Sequence, residues 1–167
     1  MASMPSPKQQ FLDTFTMEHA TTMKVLNAFP KDQGEFRPHP KAKTARELAW
    51  NFVIEQGLLS AGLTSTLDLA TAFKPAPANF NGIVEQFDSD FKKLADLIKN
   101  TPDDKFNTTT VKFLAGPGKI ADFPMPQFAW FLLCDQIHHR GQYSVYLRMA
   151  GGKVPSIYGP SADEPWM

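Results

Sequence analysis

Gln136-Ile137-His138-His139-Arg140-Gly141-Gln142 lies inside a segment, Pro126 to Ala150, in which Phe128, Phe131, Leu132, Val145, Tyr146 and Met149 recur at three- and four-residue steps. That spacing predicts a long amphipathic helix laid on a core. Asp135, His139 and Gln142 follow one another at helical steps of four and three, which stacks them along the stripe expected to face inward. A carboxylate, an imidazole and an amide on a core-facing stripe make this helix the first candidate for chemistry. Gly151-Gly152 closes it, because glycine takes the left-handed conformation that ends a helix.

Three more segments carry a helical period. From Pro7 to Phe29 the apolar positions are Phe11, Phe15, Val25, Leu26 and Phe29, and Pro30 stops the pattern. Glu18 and Thr22 interrupt that stripe; Glu18 is expected at its solvated edge and His19 at the surface or boundary. Thr44-Ala45-Arg46-Glu47 forms a capping box that starts the second helix, with Leu48, Phe52, Leu58 and Leu59 on its apolar face and Asn51 and Glu55 in mid-stripe. Asn79 caps a third helix to Ile98, where Ile83, Phe87, Phe91, Leu94 and Ile98 are unbroken by polar residues. Between the second and third helices, Gly62 to Ala78 reads as a long crossover, which permits parallel neighbours. Thr101-Pro102-Asp103-Asp104 stops the third helix or caps a short turn. Thr108 to Leu114 is a candidate short strand before Gly116-Pro117-Gly118. The tail from Lys153 to Met167 holds Ile157, Tyr158 and Trp166, which suggests docking. Four amphipathic helices without a convincing sheet predict an all-α, four-helix bundle with a long crossover between helices 2 and 3 and an extended C-terminal tail, as one domain over 1–167.

At 167 residues the chain suits a single domain with an ordinary core. Seventeen basic residues balance seventeen acidic ones, with no run of like charge, so nucleic acid and membrane surfaces are not expected partners. Cys134 is the one cysteine, and no targeting segment opens the chain, which leads to the expectation of a cytoplasmic protein.

If helix 2 faces helix 4, Asn51 meets Asp135 and His139, with Glu55 and Glu18 as possible auxiliaries. An i, i+4 carboxylate and imidazole can grip a divalent metal of the Zn, Ni, Fe or Mn kind, with an amide oxygen or second carboxylate completing an open site. The same residues can instead form a metal-free hydrogen-bonded layer, or a general-base pair in which Asp135 fixes the tautomer of His139. His138 is read as supporting or interfacial, Arg140 as lying opposite the seam and paired with a carboxylate or a partner chain, and Cys134 as inert packing.

His138-His139-Arg140-Gly141-Gln142, Tyr146-Leu147-Arg148, Gly151 and the run Val154-Pro155-Ser156-Ile157-Tyr158-Gly159-Pro160-Ser161-Ala162-Asp163 together resemble the DinB-like (DinB/YfiT) superfamily. Phe36-Arg37-Pro38-His39-Pro40 and Thr44-Ala45-Arg46-Glu47-Leu48-Ala49-Trp50 extend the resemblance to most of the chain, apart from the crossover and residues 101–124. The resemblance implies a four-helix bundle, often a homodimer, that commonly holds a divalent metal on three histidines. Characterised relatives include thiol-dependent transferases and isomerases. Carried onto this sequence, the ligand positions are Asn51, Asp135 and His139, so two of the three are substituted. The leading expectation is therefore a degenerate metal site: a polar pocket, metal-free or weakly metallated, with no assigned reaction. One alternative is a metal-dependent hydrolase or thiol transferase using Asp135 and His139 as catalytic residues; another is a non-catalytic dimer that binds an unknown small molecule.

Overall fold

A computed structural model describes residues 4–167. Its elements in chain order are α1 (Pro7–Ala28), α2 (Ala45–Thr64), α3 (Leu69–Ala72), α4 (Phe80–Asn100), α5 (Asp103–Thr108), β1 (Thr110–Gly116), β2 (Lys119–Pro124) and α6 (Met125–Met149). The four long helices form the bundle: α1 and α2 occupy diagonal corners, and each packs against both α4 and α6. Their directions follow from side-chain pairs. Phe11 lies beside Trp130 and Phe29 beside Tyr143, so α1 and α6 run the same way. Phe15 meets Phe91 while Phe29 meets Phe80, so α1 and α4 run oppositely. Asn51 meets His139 and Gly62 approaches Phe128, so α2 opposes α6 and runs parallel to α4. The long crossover makes that parallel pairing possible, because a tight turn would force the two helices antiparallel.

Local signals set the helix ends. Thr44 accepts from the Glu47 amide and Glu47 Oε2 accepts from the Thr44 amide at 2.7 Å, which completes the capping box. Asn79 accepts from the Gly82 amide to start α4, and Gly151 closes α6 at φ +82°. The crossover is tied to α2: Trp50 Nε1 donates to the Lys74 carbonyl at 2.7 Å, and Arg46 donates to the carbonyls of Ala76 and Pro77. No helix among the described residues is long and apolar enough to cross a membrane.

Several expectations need correction. Residues 110–124 are an antiparallel hairpin rather than a single short strand, and α5 precedes it. Val111 and Phe113 face the core, but nearly every residue of β2 is exposed, so β2 lacks the alternation by which a strand is recognised. On α6 the inner face runs through Phe128, Leu132, Gln136, Arg140, Tyr143 and Leu147, while Phe131, Val145 and Met149 are exposed. The stripe is turned relative to the expected one, and Asp135 and His139 consequently sit on its flank toward α2. Cys134 is exposed rather than packed.

The largest correction concerns Glu18, which does not reach solvent: it is 5% exposed, and Arg140, whose expected carboxylate partner it is, is 1% exposed. Arg140 Nη1 pairs with Glu18 Oε2 at 2.6 Å and also donates to the Glu18 carbonyl and the Thr22 hydroxyl. Tyr158, from the tail, takes a hydrogen bond from Arg140 Nη2 and donates its own to Glu18 Oε2 at 2.8 Å. Buried charge persists when it is paired and hydrogen-bonded, and here the partners come from both ends of the chain. His19 is also buried, stacked on Phe91 at 3.7 Å between ring centres.

Candidate metal centre

The packing of α2 on α6 brings Glu55 against His139 and Asp135. One donor atom from each, a carboxylate oxygen from Glu55 and Asp135 and a ring nitrogen from His139, can be chosen so that all three lie within 4.8 Å of one another. His139 Nδ1 is 2.6 Å from Glu55 Oε1 and 3.9 Å from Asp135 Oδ2. Glu55 is buried, His139 nearly so, and Asp135 stands at the rim. Glu55, placed among the auxiliaries by sequence, is therefore the innermost member of the group. Its signal was present: one turn after Asn51 on α2, it occupies mid-stripe, where glutamate is seldom left without a partner.

A directed chain of hydrogen bonds runs through the group. Lys43 Nζ donates to Asn51 Oδ1 at 2.7 Å, which leaves the Asn51 amide nitrogen facing His139 Nε2 at 3.3 Å. An amide nitrogen can only donate, so His139 Nε2 accepts and its proton resides on Nδ1, where it is given to Glu55 Oε1. Lys43 is itself placed by Tyr146, whose hydroxyl donates to the Lys43 carbonyl at 3.0 Å. Glu55, rather than Asp135, is thus the carboxylate that orients the imidazole. Burial pushes the Glu55 carboxyl well above its ordinary range, and the neighbouring Asp135 carboxylate pushes the same way. Burial holds His139 below its ordinary value against the opposing pull of Asp135.

Glu55 Oε2 is buried and has no hydrogen-bond partner, an arrangement that costs energy unless something fills the place. Two carboxylates and one imidazole fit a divalent cation, and their oxygen-rich character suits manganese or ferrous iron better than zinc or nickel. Asn51 fits less well, because its oxygen is taken by Lys43. Glu18 is committed to Arg140 and Tyr158 and is not among the grouped donors. His138 is exposed and meets Gln142 at 2.9 Å through Nε2.

Two clefts border the group. One, of about 490 Å³, lies toward Lys43, Gln142 and Tyr146; the other, of about 280 Å³, contains Glu55 and Asp135. Both include Lys43, Asn51 and His139 in their walls.

Comparison with known proteins agrees with this architecture. The uncharacterized protein YrdA of Bacillus subtilis (strain 168) is 25% identical over 154 residues, covering 92% of this chain and 89% of YrdA. The crystal structure of a DinB-like protein from Bacillus cereus ATCC 10987 superposes with a TM-score of 0.74 at 25% identity, covering 89% of this chain and 95% of that one. A DinB-like protein from Bacillus subtilis, YjoA, shares the fold at 15% identity, with a TM-score of 0.67 over 95% of this chain and 99% of its own. The DinB family matches residues 4–166, and the chain belongs to that family.

Proposed function

We propose that this protein acts on or binds a small molecule at the Glu55, Asp135 and His139 group, and that the group takes a divalent cation weakly, manganese or ferrous iron ahead of zinc or nickel. The observation that carries this reading is the unpartnered, buried Glu55 Oε2 beside two further donors within 4.8 Å. Such an ion, when bound, supplies a Lewis acid for hydrolysis or thiol transfer. The surrounding residues explain why its hold is weak. To hold a cation on Nδ1, His139 would have to give up the bond its proton now makes to Glu55 and carry the proton on Nε2 instead. That proton would face the Asn51 amide nitrogen, because Lys43 holds the amide oxygen. Lys43 thereby works against occupancy twice, through its charge and through the orientation it imposes on Asn51.

A metal-free polar pocket is the second reading. It is favoured by the 2.6 Å bond between His139 Nδ1 and Glu55 Oε1, which orients the imidazole without an ion.

Titration of tag-free protein with Mn²⁺, followed by calorimetry and electron paramagnetic resonance, separates the two. The expected result is one ion per chain, with affinity rising with pH because Glu55, whose carboxyl pKa is raised by burial and by Asp135, must bind the ion as a carboxylate. Glu55→Gln and Asp135→Asn should each weaken binding about tenfold or more, and Lys43→Met should strengthen it. Wild-type protein that leaves the Mn²⁺ spectrum unchanged at pH 8 would establish the metal-free reading.

A further inference from the structure

The cleft that contains Glu55 and Asp135 has buried Glu55 at its base, Asp135 at its edge and an apolar rim. The rim comprises Phe73, just beyond α3, Phe113 and Leu114 on β1, and Phe131 on α6. Phe73 is 52% exposed, Leu114 44% and Phe131 46%, so three large apolar side chains line the cleft beside Glu55, Asp135 and His139 without being consumed by the core. Scattered exposed apolar residues need no explanation, but a ring of them around convergent polar groups is the arrangement of a small-molecule site. The rim is held in place. Trp50 grips the carbonyl of Lys74 next to Phe73, and Phe113 packs on Phe128 at 5.1 Å and on Phe131 at 6.1 Å between ring centres. Phe73, Phe113 and Leu114 all lie in the crossover and the 101–124 segment, the two stretches outside the sequence resemblance.

We propose that this cleft takes a small amphipathic monoanion, a carboxylate joined by a short linker to one aromatic ring, with the head beside Lys43 and the ring between Phe73, Leu114 and Phe131. A volume of about 280 Å³ lies at the lower end of small-molecule sites, which limits the body to about one ring. Lys43 is the cationic side chain in the lining. The inference rests on the cation reading above, because Glu55 and Asp135 without an ion would repel an anionic head.

The test measures binding of 3-phenylpropionate, propionate and 3-phenylpropylamine to the full chain by calorimetry, with Mn²⁺ loaded and after EDTA treatment. Mn²⁺ affinity is measured separately. With Mn²⁺ bound, 3-phenylpropionate should bind about tenfold or more tightly than propionate. Phe73→Ala and Leu114→Ala should each erode that preference several-fold while Mn²⁺ affinity stays at the wild-type value. Both side chains are half exposed, so folding is expected to survive, and circular dichroism verifies it. Lys43→Met should move the two affinities in opposite directions, strengthening Mn²⁺ and weakening the carboxylate. If Mn²⁺ binds as in the Proposed function but the two acids bind alike, or the rim variants change nothing, the substrate class is overturned while the cation reading stands. If Mn²⁺ does not bind, the cation reading fails by its own measurement. Tightest binding of the amine to EDTA-treated protein would then overturn the assignment of an anion.

Discussion

Three consecutive residues meet three different environments. His138 is exposed, His139 joins the candidate site, and Arg140 is buried against Glu18. Steps of about 100° around a helix account for the separation, and the carboxylate partner expected of Arg140 is Glu18. The rule that charged residues seldom go inside, which set Glu18 at a solvated edge, says nothing of a countercharge arriving from a remote part of the chain. A consequence can be measured. Arg140→Met leaves the Glu18 carboxylate buried without its partner, and urea denaturation should show a loss of about 3–5 kcal/mol. Glu18→Gln combined with Arg140→Met should cost much less than the sum of the single changes, because the pair then leaves together. Additive losses would mean that the two side chains do not stabilise one another. Glu55 was harder to rank than Asp135 or His139, since the sequence shows its position on α2 but not that the rotation of α6 turns His139 Nδ1 toward it.

At the scale of elements, the seam between α1 and α4 places a buried histidine, His19, against Asp88. Burial lowers the His19 pKa from the ordinary 6.5, with its bond to Asp88 at 3.1 Å acting in the other direction and Lys92 nearby reinforcing the lowering. A group whose folded pKa is depressed stabilises the fold fully above the unfolded value, and the contribution fades as pH falls below it. The stability of the wild type relative to His19→Gln should therefore be greatest above pH 6.5 and diminish on acidification toward about pH 5, as read from urea midpoints across that range. Taking the difference matters because Glu55, whose pKa is raised, has the opposite sign and loses its contribution as pH rises. Constant separation of the two curves would show that His19 is charged to the same extent in both states. The helices themselves were readable because apolar period and capping chemistry coincide, as at Thr44 and Asn79. The hairpin was not, since β2 gives its side chains to solvent and its turn registered only as Gly116-Pro117-Gly118.

For the whole molecule, bundle and crossover followed from four amphipathic stripes and one long connection, whereas the order in which the helices pack required the pairs between them. The tail adds a constraint that composition only hinted at through Ile157, Tyr158 and Trp166. Ile157 packs on the core, Arg148 pairs with Asp163, and Tyr158 completes the buried pair. Tyr158→Phe should cost about 1 kcal/mol by removing one hydrogen-bonding hydroxyl. Removal of residues 153–167 should cost clearly more in the same denaturation experiment, because packing and the Arg148 contact go with it. Equal losses would reduce the role of the tail to that single hydroxyl.

The buried pair also bears on how the chain is made. Glu18 and Arg140 are separated by 122 positions, and Glu18 and Tyr158 by 140. At about 5–20 residues per second, a ribosome releases Glu18 several seconds or more before its countercharge. Throughout that interval the first helix carries a carboxylate on the face it must later bury, and early docking onto α4 would strand that charge. The pair should thus delay closure until α6 and the tail emerge, and nascent chains that end short of Arg140 should be cut by proteases more readily than the full chain.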